Sequence, residues 1–386
     1  MDARLNVGLI GCGNISPRYV EGCRRFPILE VVACADRETG AAQALAARFP
    51  GLEARSADDL LAEGNVDIII NLTPPTAHAD VTLAAIAAGK HVYSEKPLAI
   101  SRAAGRQILQ AAAEAGVRVG CAPDTFLGGA LQTARKVIDD GWIGEPVGAT
   151  LCMMSAGPER WHPNPSFFYQ EGAGPLFDMG PYYLTALIHL LGPVARVTAI
   201  ARKTYAERTA TSEARFGQRF AVDVPTYVAG VLQLERGPVA TLVTTFDGWY
   251  SRTPHVEIYG SQGTLVAPDP NRFGGEVQLR RAGDEGWRAL PLSHSPDVMR
   301  GIGVADMAYA IVHDRPHRAE EQMAFHVLDL MHALLDASEG GQQQIESRCA
   351  QPTPLPLGLL PGRLDTAFSQ ERAAGAESDA KPRAGK

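Results

Sequence analysis

The sequence predicts an α/β protein: a doubly wound parallel sheet in the first third, then an α+β region built mostly from antiparallel strands. Three observations predict it. Apolar, β-branched runs alternate with Ala-rich helical stretches through the first third. A Gly-rich turn follows the first of those runs. From about residue 145 onward, strand-like runs succeed one another with only short turns between them.

Taken in order, "LNVGLIG", "LEVVACAD", "VDIIINLT", "HVYSE" and "VRVGCAP" read as strands. They are apolar almost throughout, as strands are when both faces of a parallel sheet are covered. Between them lie "AAQALAARF", "AHADVTLAAIAAG" and "AAGRQILQAAAEAG", which have helical spacing. The last two stop at Gly89 and Gly116, where a left-handed terminating residue is expected. Right-handed crossovers then place helices on both faces. The later strands are "PVGATLCMM", "ARVTAIARKTY", "TYVAGVLQLERG", "PVATLVTTFDGW", "VEIYGSQGTLVA" and "EVQLRRAG", with "ERGP" and "GSQG" as hairpin turns. Helical runs are expected at 177–191, 302–311 and 320–337. The expected division is 1–123 for the first domain and 124–370 for the second. A polar tail over 371–386 is expected to be disordered.

The 386 residues are 45% hydrophobic and 20% charged, which fits a globular chain of two domains. A net charge of -7 argues against nucleic acid or an anionic membrane as partner. The six cysteines include no CxxC pair and several sit in apolar runs, so reduced thiols in a cytoplasmic protein are expected. The N-terminus has no signal-peptide layout, and no apolar run is long enough to span a bilayer. The scattered histidines show no metal-ligand spacing, so no metal is expected.

"VGLIGCGNIS" places Gly11-x-Gly13-x-x-Ser16 directly after the first strand. In a dinucleotide fingerprint the first Gly makes the tight turn and the second lets a pyrophosphate reach bare backbone. The third position needs a small residue, and Ser is small. Asp36 ends the second strand, where an acid accepts the hydroxyls of an adenosine ribose and repels a 2′-phosphate. Arg37 follows and would serve adenine or that phosphate instead. NAD is therefore expected, with NADP as the alternative. Asn71 and Thr73, at the end of the fourth strand, would lie near the nicotinamide ribose.

"HVYSEKPLAI" raises a different question, because a buried strand ends on Glu95-Lys96-Pro97. Ligands of open parallel sheets sit outside the carboxyl ends of the strands, so Lys96 ends where the cofactor should be. Here the sequence resembles a known family. "GLIGCGNIS", "NLTPPTAHADVTLAAIAAGKHVYSEKPLA" and "GAGPLFDMGPYYLTALIHLLGP" together resemble the glucose–fructose oxidoreductase, inositol dehydrogenase and rhizopine-catabolism (Gfo/Idh/MocA) family, over roughly residues 5–340. The resemblance implies a Rossmann domain followed by a domain with an open, mostly antiparallel sheet. It implies a cis Lys96–Pro97 bond, and assembly as a dimer or tetramer. The expected cofactor contacts are Gly11, Gly13, Asn14, Ile15, Asp36, Arg37, Thr73, Pro74, His78, Glu95 and Lys96.

The resemblance also assigns the reacting side chains. Its Asp, followed four residues later by His or Tyr, corresponds to Asp178 and Tyr182, and that spacing puts both on one helical face. Tyr182 departs from the histidine version and matches the tyrosine one. His189 is expected to pack. Lys96 is the expected oxyanion donor and Tyr182 the expected acid/base, its pKa lowered by the neighbouring ammonium. Which of the two takes the proton stays open. Asp124, Trp161 and His162 are further expected substrate contacts, beside Lys96, Asp178 and Tyr182. The expected activity is NAD(P)-dependent oxidation or reduction of a sugar, sugar derivative or cyclitol. Two alternatives remain: glycoside cleavage through transient oxidation, and a non-catalytic NAD(P)-bound sensor.

Overall fold

The computed structural model describes residues 4–364; the tail expected at 371–386 lies outside them. The first domain is built on six parallel strands. These are β1 (Leu5–Ile10), β2 (Leu29–Ala35), β3 (Glu53–Arg55), β4 (Ile68–Asn71), β5 (His91–Ser94) and β6 (Val119–Cys121), in the order β3-β2-β1-β4-β5-β6. The order reverses direction between β1 and β4, which opens a crevice at their carboxyl ends. Five helices make the crossovers: α1 (Ser16–Cys23), α2 (Thr39–Arg48), α3 (Ala57–Ala62), α4 (His78–Ala87) and α5 (Arg102–Ala115). Gly116 terminates α5 at φ 65°, as its position in the sequence predicts. Ile68, Ile69 and Ile70 are fully buried, which explains why β4 is a continuous apolar run rather than an alternating one.

The second domain begins with α6 (Gly129–Asp139) and is organised by a nine-stranded sheet. The segments in chain order are β7 (Pro146–Met154), α7 (Gly174–Leu191), β8 (Val194–Arg202), β9 (Glu207–Thr209) and β10 (Arg219–Ala221). There follow β11 (Tyr227–Leu234), β12 (Val239–Thr245), β13 (Val256–Gly260), β14 (Gly263–Ala267), β15 (Val277–Arg281) and β16 (Arg288–Leu290). The last are α8 (Ile302–Val312), α9 (Glu321–Gly340) and β17 (Gln343–Gln344). The sheet order is β16-β15-β14-β13-β7-β12-β11-β8-β17, while β9 and β10 form a separate hairpin. All neighbours in the large sheet are antiparallel except β7 and β12, whose pairing needs the long excursion through α7.

Helices α6, α7 and α9 cover one face of this sheet. Ile200, Val231 and Val239 are exposed on the other, where Thr198, Val231, Thr241 and Thr150 follow one another across four strands. Helices α8 and α9 return to the first domain. Cys121 N donates to Ala319 O beside the β6 edge, and Arg102 on α5 holds Asp329 on α9 at 2.6 Å. The two domains are thereby tied together behind the crevice. No helix among the described residues is long and apolar enough to cross a membrane.

Candidate active site

The phosphate cradle forms where β1 meets α1. Gly11 has φ 104°, and a Cβ there would lie 2.6 Å from the backbone of Leu72, so close packing on β4 demands glycine as much as the turn does. A Cβ at Gly13 would meet nothing within 4 Å, and Gly13 is exposed. Ser16 is fully buried and donates to Gly13 O, so the small third residue serves packing. No side chain caps α1; Ser16 N and Arg18 N donate to Gly13 O and Ile15 O and Pro17 has no N–H, so the amides open to an anion are those of Gly13, Asn14 and Ile15 in the turn before the helix. Asp36 accepts from Cys12 N at 2.7 Å and from Glu38 N at 2.9 Å. Each carboxylate oxygen keeps one acceptor site for a ribose hydroxyl. Arg37 projects into solvent beside Glu38. The residues present therefore fit a bound dinucleotide.

Two loops close the other side of the crevice. Thr73 donates to Asn71 Oδ1, and Pro74 is exposed next to it. Asn71 is fully buried and directs its amide to His78 O and Thr82 Oγ1, so it holds α4 rather than facing the crevice. His78, expected at the cofactor, is instead buried with its ring nitrogens 2.7 Å from Pro97 O and Thr73 O. It clamps the Lys96–Pro97 loop to the Thr73 loop. The Lys96–Pro97 bond is cis, as is Ala122–Pro123.

Lys96 crosses from the first domain to α7 in the second. Its Nζ donates to Asp178 Oδ1 at 2.8 Å and to Asp178 O at 2.6 Å. Pro181 lies inside α7 and has no N–H for the carbonyl of Phe177, which loosens that turn beside the accepting carbonyl of Asp178. The ammonium also lies 5.3 Å from the Tyr182 ring centroid. Burial disfavours the Lys96 charge, but Asp178, Tyr182 and Glu95 together outweigh it and hold the pKa above the usual lysine range. Asp178 and Tyr182 do share a face of α7, four residues apart.

Tyr182 corrects one expectation. Burial raises its pKa, and the lowering effects of Lys96 and Arg300 do not fully compensate. Arg300 was not expected at all. Its Nη2 donates to Tyr182 Oη at 3.0 Å and its Nη1 lies 3.8 Å from Glu95 Oε1. Glu95 is also held by the Tyr19 hydroxyl at 3.0 Å and by its neighbour Lys96 N at 2.9 Å. A lone Arg in "DVMRGIG", 118 positions after Tyr182, carries no motif that would announce it.

The remaining expected substrate contacts have these surroundings. Asp124 is fully buried, and its Oδ2 accepts from Gly301 N at 2.9 Å and Gly303 N at 3.1 Å at the start of α8. It supports Arg300 from behind rather than meeting a ligand. Trp161 is 68% exposed and, with His162, packs against Phe168 in the turns between β7 and α7. His189 is buried, with Nε2 3.3 Å from Gln132 Nε2, as expected of a packing residue.

The crevice, the bare glycine cradle and the Lys96–Asp178–Tyr182 group define an NAD-binding oxidoreductase. Residues 5–122 match the oxidoreductase family with an NAD-binding Rossmann fold, and residues 131–266 match the GFO/IDH/MocA C-terminal domain. The chain belongs to the GFO/IDH/MocA family. It is 30% identical over 290 residues to 1,5-anhydro-D-fructose reductase of Ensifer adhaerens, covering 74% of this chain and 82% of that one. To inositol 2-dehydrogenase of Rhizobium meliloti (strain 1021) it is 27% identical over 288 residues, covering 74% and 81%. The crystal structure of an NAD binding oxidoreductase from Klebsiella pneumoniae superposes with a TM-score of 0.78 at 26% identity, covering 90% of this chain and 100% of that one.

Proposed function

We propose that the protein is an NAD-dependent dehydrogenase or reductase acting at a hydroxyl-bearing carbon of a sugar, sugar derivative or cyclitol. The observation that carries the proposal is the meeting of Lys96, from the first domain, with Asp178 and Tyr182 on one face of α7. The names of the two relatives, one a reductase of an anhydrosugar and one a dehydrogenase of inositol, support the substrate class. Bound NAD supplies the hydride acceptor or donor. The chain's own residues manage the oxygen and its proton. Lys96 donates a charge-assisted bond to the substrate oxygen as negative charge grows on it. Tyr182 exchanges the hydroxyl proton through Oη. Asp178 keeps Lys96 charged and accepts from a neighbouring substrate hydroxyl. Asp36, at the end of β2, favours NAD over NADP.

The test is absorbance at the NADH band with a panel of hexoses, anhydrohexoses, cyclitols and glycosides. Growth of the band with NAD⁺, or its decay with NADH and the matching ketone, is expected. Product without net change in the band would replace the proposal by glycoside cleavage through transient oxidation. Cofactor binding with no product from any compound would replace it by a sensor. We further propose that the exposed sheet face pairs with a second copy, since it presents Ile200, Val231 and Val239 and no described element covers it. A cytoplasmic location accords with six unpaired thiols.

A further inference from the structure

We infer that Arg300 is a positioning residue of this site: its guanidinium fixes the phenol oxygen of Tyr182 and stabilises the phenolate, which makes Tyr182 the proton acceptor and leaves Lys96 to the substrate oxygen. The inference rests on the dehydrogenase reading and adds to it the residue that readies Tyr182 for the proton exchange proposed there.

The geometry separates the two cations. Both nitrogen–oxygen bonds of Lys96 across the crevice go to Asp178 and none goes to Tyr182 Oη, although its charge also favours the phenolate. Arg300 touches the oxygen itself, at 3.0 Å. A guanidinium cannot lose its proton in a protein, so it cannot relieve a neighbouring phenol by becoming neutral. Whatever burial does to the phenolate, this contact opposes it. Glu95 and Asp124 are the carboxylates that would cancel the effect; burial pushes the Asp124 carboxyl up and weakens its charge, which leaves Glu95 as the main one. Its Oε1 accepts from Tyr19 and its Oε2 from Lys96 N, and it stands 3.8 Å from Arg300 without a direct hydrogen bond. Arg300 Nη1 is buried and has no hydrogen-bond partner. A purely structural arginine at such depth is expected to have its donors satisfied.

The fold places Arg300 with unusual care. Gly301, the next residue, adopts φ 105°. A Cβ on Gly22 of α1 would stand 1.8 Å from the carbonyl oxygen of Arg300. Asp124 holds the amides of Gly301 and Gly303 from below. A Cβ on Gly303 would stand 2.1 Å from the Tyr93 hydroxyl, so Gly303 lets the chain pass against β5. Three glycines and a buried carboxylate thus fix the backbone on either side of one side chain.

In the step assigned to Tyr182, the O–H bond of the substrate hydroxyl breaks and an O–H bond to Oη forms. The carbinol carbon is oxidised to a carbonyl, and its hydride carries both electrons to NAD⁺. The charge that disappears from Oη is the charge Arg300 had stabilised.

The test uses ring-labelled tyrosine NMR of the full chain with NAD⁺ bound and no substrate, with Tyr182→Phe to assign the resonance. The titration midpoint of Tyr182 should rise by about one to three pH units in Arg300→Met, the interval by which a neighbouring arginine moves an acid. Arg300→Lys should restore part of it. If Arg300→Met does not fold, Arg300→Gln removes the same charge while keeping an N–H near Oη, and the same rise is expected. An unchanged midpoint in either neutral variant overturns the inference. On any panel substrate that is oxidised, the rising limb of kcat/KM against pH should move up by the same interval in Arg300→Met, with the high-pH plateau kept. An equal loss of rate at every pH marks a merely structural residue and also overturns it. If no panel compound is oxidised, the dehydrogenase reading falls, and the NMR midpoint still decides the role of Arg300.

Discussion

Replacing Lys96 by Met keeps the length of the side chain and removes its charge. The structure sets the expected loss. Nζ makes two short bonds to Asp178, at 2.6 and 2.8 Å, from a side chain only 15% exposed, so the ammonium is fixed before substrate arrives. Removing one preorganised donor to a developing oxyanion costs about 10²–10³ in kcat, or about 2.7–4 kcal/mol. Breaking a buried pair costs folding stability as well. Asp178 is 25% exposed and regains water, so the stability loss should fall short of the 3–5 kcal/mol typical of a fully buried pair, at roughly 1–2 kcal/mol. The assays are initial rates at the NADH band, NAD affinity by protein fluorescence, and thermal unfolding. The expected pattern is a kcat lower by at least about 100-fold, an NAD affinity within a few-fold, and a modestly lower Tm. A Lys96→Met enzyme turning over within about threefold of the parent would refute the reasoning, because no oxyanion donor could then sit at Nζ.

Asp36→Ala should weaken NAD binding and raise the relative use of NADP, read as the ratio of kcat/KM for the two cofactors. An unchanged ratio would show that Asp36 serves only Cys12 N and Glu38 N. Gly22→Ala should lower both Tm and turnover, since its Cβ would collide with the carbonyl of Arg300; a fully active, equally stable variant would contradict the packing. Glu320 has a carboxyl pushed up to about 7, first by burial and then by Glu321. A raised folded-state pKa contributes stability that is complete below the unfolded value and lost as pH rises through about 7. Glu320→Gln should therefore flatten the fall in Tm between about pH 5 and 8, an effect of order 1–2 kcal/mol after solvent screening at this half-buried position. Val231→Lys on the open sheet face should shift the protein to a smaller species in light scattering; a parent that is already monomeric refutes pairing through that face.

The first domain was legible because its signals are local. The run "VDIIINLT" is apolar because both faces of β4 are covered, and Gly116 ends α5 because only a left-handed residue fits there. The second sheet was legible as strands, but not as an order, because the parallel pairing of β7 with β12 spans a whole helix and four strands. Within the site, the contact between Lys96 and Asp178 joins residues 82 positions apart. No periodicity carries that information; it came from resemblance of the surrounding motifs. Asp124 looked like a ligand contact because it stands just beyond a strand end, and His78 was expected among the cofactor contacts beside Thr73 and Pro74. Burial, which depends on α8 for one and on the Pro97 loop for the other, is a tertiary property. The same blindness affected Tyr182: the ammonium beside it was legible in the resemblance, the desolvation that outweighs it was not.

The charges of the site lead to one more consequence. Lys96 and Arg300 face Glu95 and Asp178, four groups whose formal charges cancel while the phenol is protonated, with the buried Asp124 carboxyl behind Arg300. Ionising Tyr182 then leaves one uncompensated negative charge in a pocket where burial already opposes it. An oxidised nicotinamide carries a positive charge and a reduced one does not. On the proposed reading, bound NAD⁺ should therefore favour the phenolate of Tyr182 more than bound NADH does, in the sense each direction of the reaction requires. A neutral set of four fixed charges is what makes this coupling sensitive to a single added charge. The Tyr182 midpoint should accordingly lie lower in the NAD⁺ complex than in the NADH complex, by ring-labelled NMR; equal midpoints would mean that the cofactor's charge does not reach the phenol.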